Sequence, residues 1–168
     1  MRDYFPGLIH LGDAVQFIDL FANVTDRGRL FEDFEYDEVR QLARHMPCYR
    51  APRGTVLIGE GEDGDFGLLV LSGRIGVVKR NAAGQSKRIG EIGPGGTLGE
   101  MSMIDGQVRA ASCIVEDDAE FAVLDREELT AIIADDPRLG IKVLIELVQH
   151  LSGKLRAANT QLAEALAV

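Results

Sequence analysis

A mainly β core held between helical ends is the fold class this sequence predicts, and three observations carry it. From Arg50 to Leu124, short apolar runs alternate with turn-forming residues at close spacing. The 168 residues include 19 glycines, more than a chain of this length usually carries, which points to many tight turns. On either side of that stretch the apolar residues recur at spacings of three and four instead.

The elements follow in order. Leu8, Leu11, Val15, Ile18 and Ala22 share one helical face, with Asp13, Gln16 and Asp19 on the others, so a helix is expected there. A second helical stretch is led by Phe31 and Phe34, carries Val39, Leu42, Ala43 and Met46, and stops at Pro47. Strands are then expected at Val56–Ile58, Leu68–Leu71, Ile75–Val78, Cys113–Val115 and Phe121–Leu124. Turns are marked by Asp63-Gly64-Asp65, Ser72-Gly73, Asn81-Ala82-Ala83-Gly84 and Pro94-Gly95-Gly96. So many short strands suit a sandwich, jelly roll or barrel. Leu129, Ile132 and Ile133 predict a short helix closed by Asp135-Asp136-Pro137. The last helix carries Ile141, Leu144, Val148, Leu151, Leu155, Ala158, Leu162 and Ala165, an a/d seam whose early part is expected on the β core and whose later part is expected exposed. This divides the chain into 1–30, a helical extension, 31–136, the β core with its leading helix, and 137–168, an amphipathic helix.

Composition excludes several function classes. A hydrophobic share of 46% beside 27% charged residues is ordinary for a soluble chain long enough to bury a core. The net charge of −9 opposes broad attraction to a phosphate backbone, so duplex nucleic acid is not the expected partner. Cys48 and Cys113 make neither a disulfide framework nor a metal cluster, and His10, His45 and His150 lack metal-ligand spacing. Glu60, Glu62, Asp63 and Asp65 lack the spacing of a calcium loop and read as a solvated turn. Asp3, Asp13 and Asp19 interrupt any secretory leader, and no apolar run is long enough to span a bilayer. A cytoplasmic location is the expectation. No nucleophile elbow, Walker loop or metal-hydrolase set is present, so neither catalytic nor metal-binding residues are expected.

The informative segment runs from Gly99 to Ala111. Pro94-Gly95-Gly96 and Gly99 let the backbone turn sharply and come close to a ligand. The residues after Glu100 suit a helical turn with free N–H groups facing an anion. Arg109 offers a planar fork for phosphate, and Glu100 an acceptor for a sugar hydroxyl. An acceptor for ribose beside a fork for phosphate describes a nucleotide site. The bland alternative is an internal ion pair that closes a loop.

Those residues carry a family resemblance. Gly99-Glu100-Met101-Ser102 through Arg109-Ala110-Ala111 is similar to the phosphate-binding cassette of the cyclic-nucleotide-binding domains, found in bacterial catabolite activators and kinase regulatory subunits. Upstream, Val56-Leu57-Ile58 with Gly61-Glu62, and Leu71-Ser72-Gly73 with Ile75, match the family's first strands and glycines. The resemblance covers about Phe31 to Leu155 and implies an eight-stranded jelly-roll β-barrel with N-terminal helices and a long C-terminal helix. It implies that Glu100 holds the ribose 2′-hydroxyl and Arg109 the cyclic phosphate. Backbone groups of Gly99, Met101, Ser102, Ala110 and Ala111 would complete the cradle, and Val77 and Ile89 would wall the base. Ala110 lacks the hydroxyl common in guanine-preferring members, which leans towards cyclic AMP over cyclic GMP. Lys154 falls where catabolite activators set a Thr against the base, and Gly67 stands where a larger residue is usual. Those activators continue into a helix-turn-helix, whereas this sequence stops at Val168, so a sensor without a DNA-binding domain is expected. A homodimer through the C-terminal helix is implied, with a further protein partner open. The rival expectations are a module of the same fold that binds no nucleotide, and a regulatory partner of a transcription system.

Overall fold

The computed structural model describes residues 2–20, 23, 31 and 33–167. Seven strands are found among them: Ile9–Asp13 (β1), Pro47–Ala51 (β2), Val56–Ile58 (β3), Phe66–Arg80 (β4), Ser86–Ile92 (β5), Thr97–Leu98 (β6) and Ser112–Asp125 (β7). The α-helices described over their full length are Tyr36–Ala43 (α1), Glu100–Asp105 (α2), Arg126–Asp135 (α3) and Pro137–Leu166 (α4). The strands form one antiparallel sheet in the order β1-β2-β7-β4-β5, with β3 paired to β7 and β6 to β4. The mainly β fold with flanking helices is as expected, but the sheet has seven strands and is not closed into a barrel.

The strand count falls short because long strands bend where the sequence predicts turns. Leu68–Leu71 and Ile75–Val78 belong to the single strand β4, and Cys113–Val115 and Phe121–Leu124 to β7. Ser72-Gly73 is a kink in β4, where the register with β7 shifts. Gly73 has φ +82°, and a Cβ there would collide with the Asp118 carbonyl of β7. The glycine therefore serves a close strand crossing and reverses nothing.

The N-terminal helix expected from Leu8 onward is corrected in its first part, while the described residues 18–20 and 23 are helical as expected. Ile9–Asp13 is a strand paired with β2, bulged between His10 and Gly12, where Gly12 has φ +96°. Asp13 then caps a 3-10 turn over Ala14–Phe17 by accepting from Val15 N. The three-and-four spacing arises because the segment feeds two cores: Leu8 joins one, while Leu11, Val15 and Ile18 join the other. Ala22, and the stretch from 24 to 30, lie outside the described residues. α1 is shorter than its pattern, opening under a Glu35–Glu38 capping box and closing at Ala43, with Met46 buried beyond its end.

The two cores occupy opposite faces of the same strands. Leu69, Leu71, Cys48, Ala122 and Leu124 pack with Leu42, Ile132, Leu139, Val143 and Leu147 of the helices. Their neighbours Leu68, Val70, Tyr49, Phe121 and Val123 pack among themselves on the other side. The chain start closes that second core, with Phe5 edge-on to Tyr49, Phe66 and Phe121 at 5.4, 5.5 and 5.3 Å. Tyr4 adds an edge contact to Phe66 at 5.7 Å and donates its hydroxyl to the buried Asp125 carboxylate.

α4 packs through Leu139, Gly140, Val143, Glu146 and Leu147. That line is not the expected seam. Ile141, Val148, Leu155 and Leu162, spaced by seven, are 55%, 63%, 62% and 58% exposed, so of the seam's early part only Leu144 packs against the core while Ile141 and Val148 face away from it. No helix of the described residues is long and apolar enough to cross a membrane.

Candidate functional site

The segment after β6 is shaped by two left-handed glycines. Gly99, at φ +76°, is the N-cap of α2, and Gly106, at φ +73°, ends it by donating its N–H to Ser102 O. Arg126 at the start of α3 braces the short helix, Nε donating to Met103 O at 2.6 Å and Nη2 to Ser102 O at 2.9 Å. The chain then returns along the 59–62 turn, where Arg109 N donates to Glu62 O and Gly61 N to Arg109 O, both at 2.8 Å. That double tie fixes the backbone of Arg109 before its side chain is placed.

The Arg109 side chain turns inward and is 3% exposed. Nη1 donates to Phe66 O and to Gly99 O, both at 2.8 Å, and the guanidinium carbon lies 4.4 Å from the Phe66 ring centroid. Nη2 is buried and has no partner among the described residues. Desolvation is the largest influence on this group and draws its pKa down, since a buried cation lacks water to solvate it.

Glu100, the first residue of α2, is also 3% exposed. Its Oε1 stands 2.5 Å from Lys154 Nζ of α4, and the same ammonium donates to Thr97 O at 2.7 Å. The expected pair therefore lies beside Gly99, and Lys154 joins it across the sheet-to-helix boundary. Ser102 is buried, Met101 is 53% exposed, Ala110 is exposed with its carbonyl accepting from Lys79 Nζ, and Ala111 is half-buried. Val77 on β4 is half-buried against the second core, while Ile89, at the β4–β5 bulge, is 56% exposed. No hydrogen bond or ion pair of the described residues links Val77, Ile89, Met101 or Ala111 to Glu100 or Arg109.

Four residues at this place escaped the sequence reading. Phe66 supplies both a carbonyl and a ring to Arg109, and Gly64 leaves the room, since a Cβ there would overlap the guanidinium. Thr97 and His150 carry buried side-chain atoms, Oγ1 and Nε2, without partners. Only the Asp63-Gly64-Asp65 turn left a local trace; the other three are defined by long-range packing.

Comparison with known proteins finds relatives of this fold. A family model described as cyclic nucleotide-binding domain matches residues 49–136. The chain is 27% identical over 141 residues to the CRP-like cAMP-activated global transcriptional regulator of Mycobacterium tuberculosis, covering 84% of this chain and 61% of that one. It is 30% identical over 133 residues to the cyclic AMP receptor protein of Thermus thermophilus, covering 79% and 60%. It thus spans about three fifths of the length of those relatives. A crystal structure of a cyclic nucleotide-binding domain from Methylobacillus flagellatus superposes with a TM-score of 0.89 at 39% identity, covering 98% of this chain and 93% of the other.

Proposed function

Since the chain belongs to the cyclic nucleotide-binding domain family, we propose that it is a cytoplasmic, non-enzymatic sensor that binds cyclic AMP between Glu100 and Arg109 and relays the event through α4. The observation that carries this reading is the unpartnered Nη2 of Arg109. A guanidinium held in a dry site with one nitrogen unpaired is a costly arrangement that an anionic oxygen relieves. The neighbouring carboxylate then repels a bare phosphate but accepts a hydroxyl, which selects a phosphate joined to a sugar. Ala110 and the cyclic AMP in the names of the two regulators favour adenine. Backbone groups of Gly99, Met101, Ser102, Ala110 and Ala111 would complete the cradle, with Val77 and Ile89 beside the base. The exposed stripe of α4, whose apolar residues are spaced by seven, supports a homodimer in which two such helices pair.

The relay follows population-shift logic: a ligand that binds better when α4 is repositioned biases the helix towards that position. The Glu100–Lys154 contact favours a second reading, in which the ion pair is a permanent closure and the module binds no nucleotide. Titration calorimetry with cyclic AMP and cyclic GMP, beside thermal unfolding, separates the two. The sensor reading expects a saturable heat and a raised midpoint with cyclic AMP; no heat and no shift with either nucleotide removes it.

A further inference from the structure

α4 reaches the cassette through one charged side chain. Lys154 Nζ holds Glu100 Oε1 at 2.5 Å and Thr97 O at 2.7 Å. Lys154 is also the last residue of the helix that is not exposed; every described residue from Leu155 to Ala167 lies at the surface. The ammonium is therefore the terminal anchor of α4 on the β core.

Glu100 is nearly closed to solvent, so an incoming hydroxyl cannot reach it unless a neighbour withdraws. The group that pairs with it is Lys154. A carboxylate already neutralised by an ammonium is also a weaker acceptor for a hydroxyl than a free one. The joint is incomplete on its own account: Thr97 Oγ1 and His150 Nε2, one helical turn before Lys154, are buried without partners. A polar cluster satisfied only in part is where a packed interface opens at least cost, because opening lets water reach the unpaired atoms.

We propose that Lys154 is an internal competitor of the ligand: its ammonium and a ribose hydroxyl contend for Glu100, so that ligand entry frees the second half of α4. This rests on the nucleotide reading of the cassette. The competition lowers the apparent affinity by the fraction of molecules in which Glu100 is free. It also makes the signal a release of the helix from a tether.

The test compares the full chain with Lys154→Met, which keeps the apolar stem and drops the charge, and with Lys154→Arg, which keeps a cation. Two readouts are taken: amide hydrogen exchange of residues 150–166 without nucleotide, and the Kd for cyclic AMP. Lys154→Met is expected to speed exchange in that segment and to tighten binding by roughly twofold to fivefold, the span of an ion pair with one partner open to solvent. Lys154→Arg is expected to restore both towards wild type. Unchanged exchange in Lys154→Met overturns the tether, whatever the binding result. Faster exchange with an unchanged or weaker Kd overturns the competition and makes Lys154 a ligand contact or a bystander. If neither wild type nor Lys154→Met binds, the nucleotide reading falls and the competition falls with it. If only Lys154→Met binds, the tether holds the site shut.

Discussion

Replacing Arg109 by Ala separates two roles that the geometry gives one side chain. In folding, the guanidinium satisfies Phe66 O and Gly99 O and lies over the Phe66 ring. Two buried carbonyls left without a donor cost about 1–3 kcal/mol each, and the lost cation–π contact about 0.5–2 kcal/mol. Against this, removing a charge from a dry site returns several kcal/mol of desolvation. The two sides largely cancel, so the net loss of stability is at most about 3 kcal/mol, a fall of no more than roughly 10 °C in the unfolding midpoint. In binding nothing offsets the loss, because the phosphate keeps its charge while its bidentate partner is gone. The cost is on the order of 2–5 kcal/mol, or roughly thirtyfold to several thousandfold in Kd. Thermal unfolding without ligand and calorimetry with cyclic AMP measure the two quantities on the same samples. A folded Arg109→Ala protein that binds as tightly as wild type refutes the phosphate role.

Three further outcomes are expected. Gly64→Ala forces the Arg109 guanidinium aside and should weaken cyclic AMP binding by roughly tenfold or more, with a smaller effect on the unfolding midpoint than Arg109→Ala; equal affinity in calorimetry contradicts it. Val148→Asp with Leu155→Asp places charges on the exposed stripe of α4 and should convert a dimer to a monomer in light scattering, whereas a wild-type mass of 18.3 kDa at tens of micromolar removes the dimer. Burial, with Lys154 nearby, holds the His150 ring below its ordinary pKa of 6.5. The folded state thus binds fewer protons than the unfolded one, and stability present above pH 6.5 declines as the pH falls through that value towards the folded pKa. His150→Gln should flatten the change in urea midpoint between pH 7 and 5.5; an identical slope contradicts the assignment.

The class of fold and the pair Glu100–Arg109 were legible because each has a local signature. Alternating apolar runs mark strands wherever they pair, and the cassette glycines, carboxylate and arginine fall within one short segment. Gly73 shows where such reading stops: a glycine beside a serine marks a turn and a strand crossing alike, and only Asp118 on the other strand decides between them. The segment from Leu8 to Ile18 shows another limit, since a strand followed by a 3-10 turn reproduces a helical spacing when it alternates between two cores. In α4 the heptad pattern was readable, but which line of residues meets the sheet was not. Gly140 settles that, because α3 approaches so closely there that Ile133 leaves no space for a Cβ. Phe66 carried no sign of its role, for its ring meets Arg109 across 43 positions of sequence.

The aromatic cluster at the chain start has an optical consequence. The protein has no tryptophan and three tyrosines. Tyr36 is 56% exposed, whereas Tyr4 and Tyr49 lie edge-on, 6.5 Å apart, inside the cluster that holds Phe66. Their near-ultraviolet circular dichroism therefore arises from rings fixed in one asymmetric setting, with Tyr4 one contact away from the Arg109 guanidinium through Phe66. An event that moves Arg109 shifts Phe66 and is written in the tyrosine bands, so the domain carries an intrinsic dichroic probe of its own cassette and needs no dye.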